Sequence, residues 1–365
     1  MSQESEERSI FYDAASYTVR DPNRSPHQPD DRIFHQPHYT YDEVEKVEKA
    51  STRDHLAEIE CKLESGEKAT LTFESVSPEI LRVHFYLSAC THAFKPQSDM
   101  LVDLPQQPVS PTLHETAEHF ELAFGPRTIV LSKSPVSIQI KDQNGDNLLE
   151  TEQYKLAGKP LVGTLGFRRT QDTAEPYLSW KIHNNEHFFG LGEKWNKVEK
   201  NSTRATIWAA DTCGSNSNDL SYKSLPYLLS SRGWGMFLHS STRSYWEVGN
   251  FSYVSGSVLT EDDHLDAFLF FGHDYKSLIQ QYTALTGRPQ KPPRWALGVW
   301  LSRCQYESQA QAEDAMQGMR ERDIPCDVIH LDPLWMKTHY YFQVGVDACD
   351  FVRNEEAFPN LPELY

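Results

Sequence analysis

The spacing of apolar residues changes character once along this chain, near residue 275. Before that point apolar and polar residues alternate, most clearly over residues 57–63 and 81–87. A period of two is typical of strands with one buried face. From residue 275 to 286 the apolar positions instead keep helical spacing, and the run stops at Gly287-Arg288-Pro289. This change predicts a β domain followed by a region that mixes helices with strands.

The region before residue 275 contains further short runs of strand-forming residues separated by turn residues. Asn144-Gly145 supplies the residues that a tight hairpin needs at positive φ. Short strands at regular spacing favour a sandwich over a parallel sheet, so we expect one large β-sandwich over residues 51–288. Residues 1–50 are polar with Pro and His clusters, which predicts an N-terminal arm. The additional strand-like runs are Phe120–Phe124, Thr128–Leu131, Val136–Ile140, residues 188–192, residues 231–237 and Ala267–Phe271.

Residues 289–365 begin with a Pro-rich linker and are typical of a strand, a helix and a second strand. The apolar run Trp295–Leu301 predicts the first strand, and Ser308 is a suitable N-cap for the amphipathic helix that follows. Residues 327–331 predict the second strand, which ends at Asp332. The length of this unit suits a right-handed crossover between parallel strands. We therefore expect the start of an α/β barrel or of a doubly wound sheet.

Charge and motifs exclude several classes of protein. Asp and Glu outnumber Lys and Arg by 52 to 35, giving a net charge of −17, which argues against nucleic-acid or anionic-membrane partners. The chain has no P-loop, no G-x-S-x-G and no H-E-x-x-H, and Gly190-Leu191-Gly192 lacks the third glycine of a dinucleotide site. Its first residues are polar and no apolar run is long enough to span a membrane. We expect a soluble, cytoplasmic protein whose six scattered cysteines are free thiols.

A candidate binding site follows the second predicted strand, at Asp332-Pro333-Leu334-Trp335. In parallel α/β units the ligand lies beyond the carboxyl ends of the strands, so the residues after the first strand, 302–306, belong to the same region. A carboxylate accepts hydrogen bonds from vicinal hydroxyls, while an indole face covers the apolar face of a sugar ring. The alternative is that Asp332 only caps a helix or forms a turn.

A second candidate is the Gly/Ser/Asn-rich loop over residues 208–218, which carries Trp208 and Asp211. Loops of this composition on a rigid sandwich can supply binding groups to a neighbouring domain. The alternative is a surface turn in which Asp211 bonds to its own backbone.

Four segments, in this order and spacing, closely resemble glycoside hydrolase family 31, and its α-xylosidase branch in particular. The resemblance covers residues 180–365 with specific motifs and extends more loosely from about residue 55. The segments are Phe189-Gly190-Leu191-Gly192-Glu193, Tyr222-Lys223-Ser224-Leu225-Pro226-Tyr227, residues 287–298 (Gly-Arg-Pro through Pro-Pro-Arg-Trp-Ala-Leu-Gly) and His330-Leu331-Asp332-Pro333-Leu334-Trp335-Met336-Lys337.

The resemblance implies a mainly β fold: a galactose-mutarotase-like β-sandwich followed by the first strands of a truncated (β/α)₈ TIM barrel. It implies a glycosidase that hydrolyses O-glycosyl bonds of non-reducing α-linked sugars with retention, using two carboxyl groups. By this resemblance Asp332 holds hydroxyls of the sugar, Trp335 lies in the same pocket wall, and Asp211 reaches into the pocket. No metal and no organic cofactor is implied, and the partner is the carbohydrate substrate, with self-association of the full-length enzyme left open.

Two positions depart from the family pattern and bear on the sugar. Members of the α-glucosidase branch typically have a second carboxylate where this chain has Leu334, and an apolar residue there favours xylose, which lacks the hydroxymethyl group. The position after the first strand that is usually aromatic in the family is Cys304 here, so Cys304 is also a candidate pocket residue.

The length of the second region predicts what this chain does not contain. A complete barrel takes about 250 residues, far more than residues 294–365, so only the first two strands fit. The resemblance places the nucleophile and the acid/base beyond Tyr365; no catalytic residue is assigned here, and we expect the chain to be inactive alone. The alternatives are a carbohydrate-binding or structural sandwich without hydrolase activity and, more weakly, an aldose-epimerase-like activity for which no Glu and His pair is apparent.

Overall fold

The computed structural model describes residues 40–90, 98–102, 107–151, 155–156, 159–160, 163–170, 173–209, 221–250, 252–303, 306–337 and 351–360. They form two compact units that divide between Arg288 and Pro289, called here the first and the second unit. No helix in these ranges has the length and apolar content needed to cross a membrane. Free thiols are confirmed for the three cysteines that lie within them, Cys61, Cys90 and Cys326.

The first unit is mainly β, as the alternation predicts. Within the described ranges, thirteen strands form one sheet in the order β14-β16-β17-β20-β4-β3-β2-β1-β12-β13-β19-β18-β15, and β5 to β9 form a second sheet in chain order. The strands are β1 (Thr40–Arg53), β2 (Leu56–Leu63), β3 (Lys68–Ser77), β4 (Ile80–Leu87), β5 (Thr112–Glu115), β6 (His119–Phe124), β7 (Arg127–Lys133), β8 (Val136–Lys141), β9 (Asn147–Glu150), β10 (Lys155–Leu156), β11 (Lys159–Pro160), β12 (Leu165–Arg169), β13 (Ala174–Lys181), β14 (Phe188–Gly192), β15 (Thr203–Ile207), β16 (Ser224–Ser230), β17 (Trp234–Leu238), β18 (Ser244–Val248), β19 (Ser255–Thr260) and β20 (His264–Phe271).

Strand β1 joins the two halves of the large sheet and corrects one prediction. Its first residues pair with β12 and its later residues pair with β2, so the predicted arm over residues 1–50 ends by residue 39 at the latest. The register shifts after Val44 and again after Val47, and both valines are buried although they are three residues apart. These bulges break the period of two, which is why the sequence pattern does not predict this strand.

The two halves of the large sheet pack face to face around one core. Phe85 of β4 stacks on Phe167 of β12 with ring centroids 4.7 Å apart. Trp180 lies at the other end of the core, with its ring centroid 6.0 Å from that of Trp234. The alternating residues of β2 from Ala57 to Leu63 are buried here, as predicted. The hydrophobic core of the sandwich therefore lies between the two halves.

The outer face of β4, β17 and β20 is covered as well, which differs from the predicted half-buried strands. Helix α1 (Tyr275–Thr286), capped by Asp274 as its N-cap, has the bounds that the sequence predicts. It buries Leu278 against an aromatic cluster on this face that includes Tyr227 and Phe270. Residues 80–85 of β4 are buried on both faces, so the polar side chains of this strand need partners inside the protein.

The polar side chains of β4, Arg82 and His84, both bind the carboxylate of Asp266. Arg82 donates from Nε to Oδ1 of Asp266 at 2.9 Å and from Nη2 to Oδ2 at 2.8 Å, and His84 Nε2 lies 2.6 Å from Oδ1. Burial alone would raise the pKa of Asp266, but hydrogen bonds from Arg82, His239 and His84 outweigh it and hold that pKa well below its usual range. Burial lowers the pKa of His84, with Asp266 opposing the effect.

The second unit begins with a 3₁₀ turn, Arg294–Leu297, followed by β21 (Trp300–Ser302), α2 (Gln309–Glu321), β22 (Val328–His330) and a 3₁₀ turn, Pro333–Trp335. The predicted crossover is confirmed, because β21 and β22 are parallel neighbours and Ser308 caps α2. The first strand is shorter than the predicted run Trp295–Leu301, since its first residues form the turn.

Gly298 lies where this turn leads into β21, and it is required by a close approach. A Cβ at this position would lie 2.0 Å from Oδ2 of Asp327, the atom that accepts a hydrogen bond from Val299 N at 2.9 Å. We expect Gly298→Ala to displace Asp327 and weaken the pairing of β21 with β22. The measurement is amide hydrogen exchange, which should become at least tenfold faster in residues 299–302 and 328–330 while the first unit is unchanged.

The matched control is Gly318→Ala in helix α2. A Cβ there would meet only the flexible end of Arg322, at 3.0 Å, and alanine is the better helix former by about 1 kcal/mol. Exchange in β21 and β22 should be unchanged or slower in this variant. Equal protection of the strands in wild type and Gly298→Ala would contradict the role given to Gly298.

Candidate functional site

The parallel pair β21 and β22 presents two different faces. Ile329 and Leu331 pack with Tyr306 and Ala312 in the cluster beneath helix α2. Trp300 is paired with Val328 and Ser302 with His330, so these residues occupy the opposite face. Because side chains alternate along a strand, Asp332 continues that second face just past the end of β22.

The Asp332 carboxylate is half-buried. Its main-chain oxygen accepts a hydrogen bond from Trp335 N at 3.4 Å, which closes the 3₁₀ turn. Within the described part of the chain, no hydrogen bond or ion pair engages its side chain. The structure therefore places, at the carboxyl end of a parallel strand, a carboxylate whose acceptor sites no described residue occupies; this is where ligands of α/β units bind.

Trp335 is one turn further along and is fixed by its neighbours. Its main-chain oxygen accepts from Asn354 N at 2.8 Å, and its ring centroid is 6.5 Å from that of Phe351. The indole is half-buried against the cluster that includes Phe358. Asp332 and Trp335 thus share one short turn.

His330 is a further residue at this end that sequence reasoning did not assign to a pocket. Its Nδ1 lies 3.4 Å from Ser302 Oγ, and its ring meets Trp300 edge-on with centroids 6.4 Å apart. The signal that could have identified it is the period of two that puts His330 and Asp332 on one face. Together they line the carboxyl end with groups that donate and accept hydrogen bonds.

The other two predicted site residues, Asp211 and Cys304, lie outside the described residues. The base of the loop that carries Asp211 is described: Ala209 and Ser221 form an isolated parallel bridge that closes its ends. The Arg243 guanidinium lies 4.9 Å from the centre of the Trp208 ring. An open cavity of about 420 Å³ adjoins this base within the first unit; its lining includes Met100, Trp208, Leu225, Phe237, Ser240 and Tyr282.

Two family models match the chain. The glycosyl hydrolase 31 N-terminal galactose mutarotase-like domain matches residues 70–247, and the TIM-barrel domain of glycosyl hydrolases family 31 matches residues 289–365. The chain belongs to glycosyl hydrolase family 31. The first unit is accordingly a galactose mutarotase-like domain and the second is part of a family 31 TIM barrel, as the sequence resemblance implies.

Individual family 31 proteins show the same relationship. Alpha-glucosidase 2 of Bacillus thermoamyloliquefaciens is 30% identical over 303 residues, which are 78% of this chain and 35% of that protein. Alpha-xylosidase XylQ of Lactiplantibacillus pentosus is 31% identical over 276 residues, 69% of this chain and 35% of XylQ. A Flavobacterium johnsoniae GH31 dextranase solved with glucose has a TM-score of 0.71 at 25% identity, over 87% of this chain and 36% of that one. This family 31 chain spans about a third of the relatives it matches.

Proposed function

We propose that this chain supplies the sugar-binding start of a retaining α-glycosidase whose preferred sugar is xylose. The observation that carries the proposal is Asp332, a carboxylate at the carboxyl end of β22 whose acceptor sites no described residue occupies, inside the part that matches a family 31 barrel. In this proposal its two oxygens accept hydrogen bonds from neighbouring hydroxyls of the non-reducing sugar. In the same proposal Trp335, Asp211 and Cys304 also contact the sugar, as the family resemblance implies.

Leu334 supports the preference for xylose. It is half-buried in the turn that follows Asp332, and its side chain offers no hydrogen bond to a hydroxymethyl group. A buried hydroxyl without a partner is disfavoured by about 1–3 kcal/mol, so a sugar that lacks the group is accepted more readily. The names of the relatives, alpha-glucosidase and alpha-xylosidase, are consistent with either sugar, and Leu334 is the residue that favours xylose here.

Retention requires two carboxyl groups about 5–5.5 Å apart that flank the scissile bond. We assign neither role to a residue of this chain, so the 365-residue polypeptide is proposed to bind sugar weakly and not to hydrolyse glycosides alone. The cytoplasmic location and the self-association of the full-length enzyme belong to the same proposal.

The test compares two proteins on aryl α-xyloside and aryl α-glucoside. One is the 365-residue chain; the other continues this chain with the part of XylQ that lies C-terminal to the matched residues. We expect background turnover from the first protein, and from the second a kcat/KM for the xyloside at least tenfold above that for the glucoside. Turnover by the 365-residue chain, or a preference of the joined protein for the glucoside, would contradict the proposal.

A further inference from the structure

Three residues of the first unit, far apart in sequence, form a continuous line of hydrogen bonds. Ser98 Oγ lies 2.5 Å from His239 Nε2, and His239 Nδ1 lies 2.7 Å from Asp266 Oδ2. His239 and Asp266 are buried, whereas Ser98 is half-buried. A hydroxyl, an imidazole and a carboxylate at these distances have the geometry of an activated serine nucleophile, which is recognised by geometry and not by position in the sequence.

The direction of the hydrogen bonds in this line follows from what each group can donate or accept. Asp266 is ionised and only accepts, so the hydrogen on Nδ1 of His239 points at Oδ2, and Nε2 is the ring nitrogen placed to accept from Ser98. The main-chain N–H of Met100 donates to Ser98 Oγ at 3.2 Å, which leaves the hydroxyl hydrogen of Ser98 to point at Nε2. His239 is thus set to take that proton.

The neighbours of the ring hold it in this orientation. Phe268 meets the His239 ring edge-on with centroids 5.8 Å apart, and Phe237 lies 6.1 Å away. Asp266 also binds Arg82 and His84, so all of its acceptor sites are used. The carboxylate is therefore held rigidly in place.

A cavity is lined by residues that lie next to Ser98 and His239 in the chain. Met100 and Ser240, which lie two residues after Ser98 and one after His239, line the cavity of about 420 Å³, as does Phe237. That volume falls in the range of small-molecule sites, and its walls combine aromatic rings with serine and threonine hydroxyls. A short acyl chain and a compact alcohol fit these dimensions and this chemistry.

We propose that Ser98 is a nucleophile toward short-chain carboxylic esters, an activity separate from glycoside cleavage. Ser98 Oγ forms a bond to the ester carbonyl carbon while its proton passes to His239 Nε2. The C–O bond to the alcohol breaks, and the alcohol leaves with that proton. Water then attacks the acyl-serine and gives its proton to His239, which returns it to Ser98 as the carboxylic acid departs.

The structural alternative is that the same contact only fastens residues 98–102 to the sheet. Val102 N donates to Leu285 O of α1 at 2.9 Å, which is a second attachment of that segment. A purely structural role predicts a loss of stability when Ser98 is replaced, and it predicts that Ser98 of the wild-type protein forms no covalent bond with a substrate or probe. Covalent labelling of wild type therefore separates the two roles without relying on any variant.

The experiment treats the folded 365-residue chain with a fluorophosphonate probe and with p-nitrophenyl acetate. We expect one label per chain on the peptide that contains Ser98, and a burst of p-nitrophenol that approaches one equivalent. Ser98→Ala should lose label and burst, whereas the control Ser137→Ala, a half-buried serine of β8 away from the cavity, should keep both. His239→Gln should slow acylation about 100-fold.

Absence of label on folded wild type would overturn the proposal, as would a label on another residue or a burst that survives Ser98→Ala. If His239→Gln fails to fold, Ser98→Cys provides the second measurement. Its thiol should react with iodoacetamide at least tenfold faster than the half-buried Cys90. Equal rates at the two thiols would show that His239 does not activate position 98.

Discussion

Replacement of Asp266 by asparagine is expected to lower the free energy of unfolding of the first unit by about 3–5 kcal/mol. The variant keeps the shape of the side chain but leaves the Arg82 guanidinium buried without its counter-charge. The side chains of Arg82 and Asp266 are only 5% and 4% exposed, so water cannot replace the lost partner. The measurement is urea unfolding followed by far-UV circular dichroism, compared with wild type.

The matched control is Asp146→Asn in the turn between β8 and β9, where the residue is exposed. Surface substitutions of this kind change stability by less than about 0.5 kcal/mol. A loss of free energy of unfolding below about 1 kcal/mol in Asp266→Asn would contradict the assignment of Asp266 as the counter-charge of the buried Arg82 guanidinium.

The dependence of stability on pH gives a second check on the same carboxylate. The pKa of Asp266 is depressed in the folded state by its hydrogen bonds, so its contribution is present above about pH 4 and is lost as the pH falls further. The pKa of His84 is depressed by burial, so protonation of the unfolded chain begins to reduce stability below about pH 6.5. Wild type should therefore lose stability in both ranges, and Asp266→Asn should lose less than wild type below pH 4.

The sequence predicts those parts of the fold that depend on neighbouring residues. Strand β2 and helix α1 follow from regular apolar spacing, and the N-cap Ser308 follows from its position before an amphipathic run. Strand β1 was missed because two bulges put Val44 and Val47 on the buried side out of phase. A local pattern cannot show an irregularity that only the partner strand reveals.

Contacts between distant residues are the part that the sequence does not predict. Arg82 and Asp266 are 184 residues apart, and Ser98 and His239 are 141 apart. The residues around one member of each pair therefore do not indicate its partner. Asp332 was predictable because the end of a parallel strand is a local feature with a known consequence. The roles of Asp332, Trp335, Asp211 and Cys304 in sugar binding remain predictions.

Asp332→Asn is expected to abolish most of the glycosidase activity of the protein in which this chain is continued by the C-terminal part of XylQ. Asparagine offers one acceptor in place of two charged oxygens. Each hydrogen bond to a charged group contributes about 1.5–3 kcal/mol, and 1.4 kcal/mol corresponds to a factor of ten. Loss of one such bond, together with loss of the charge on the acceptor that remains, therefore lowers kcat/KM about 100-fold or more.

The matched control is Asp314→Asn, an exposed carboxylate on helix α2, which should leave the activity unchanged. Folding of both variants is checked by circular dichroism before the kinetic comparison. The proposed role of Asp332 concerns the sugar and not the leaving group, so the loss should be the same for aryl α-xylosides with good and poor leaving groups.

The most direct test of the proposed function is kcat/KM for an aryl α-xyloside, measured on this joined protein and on its Asp332→Asn and Asp314→Asn variants. If the turn after β22 holds the sugar, the first variant falls about 100-fold or more and the second equals the unsubstituted protein. Equal kcat/KM for all three folded proteins would contradict the placement of the sugar at the carboxyl end of β22.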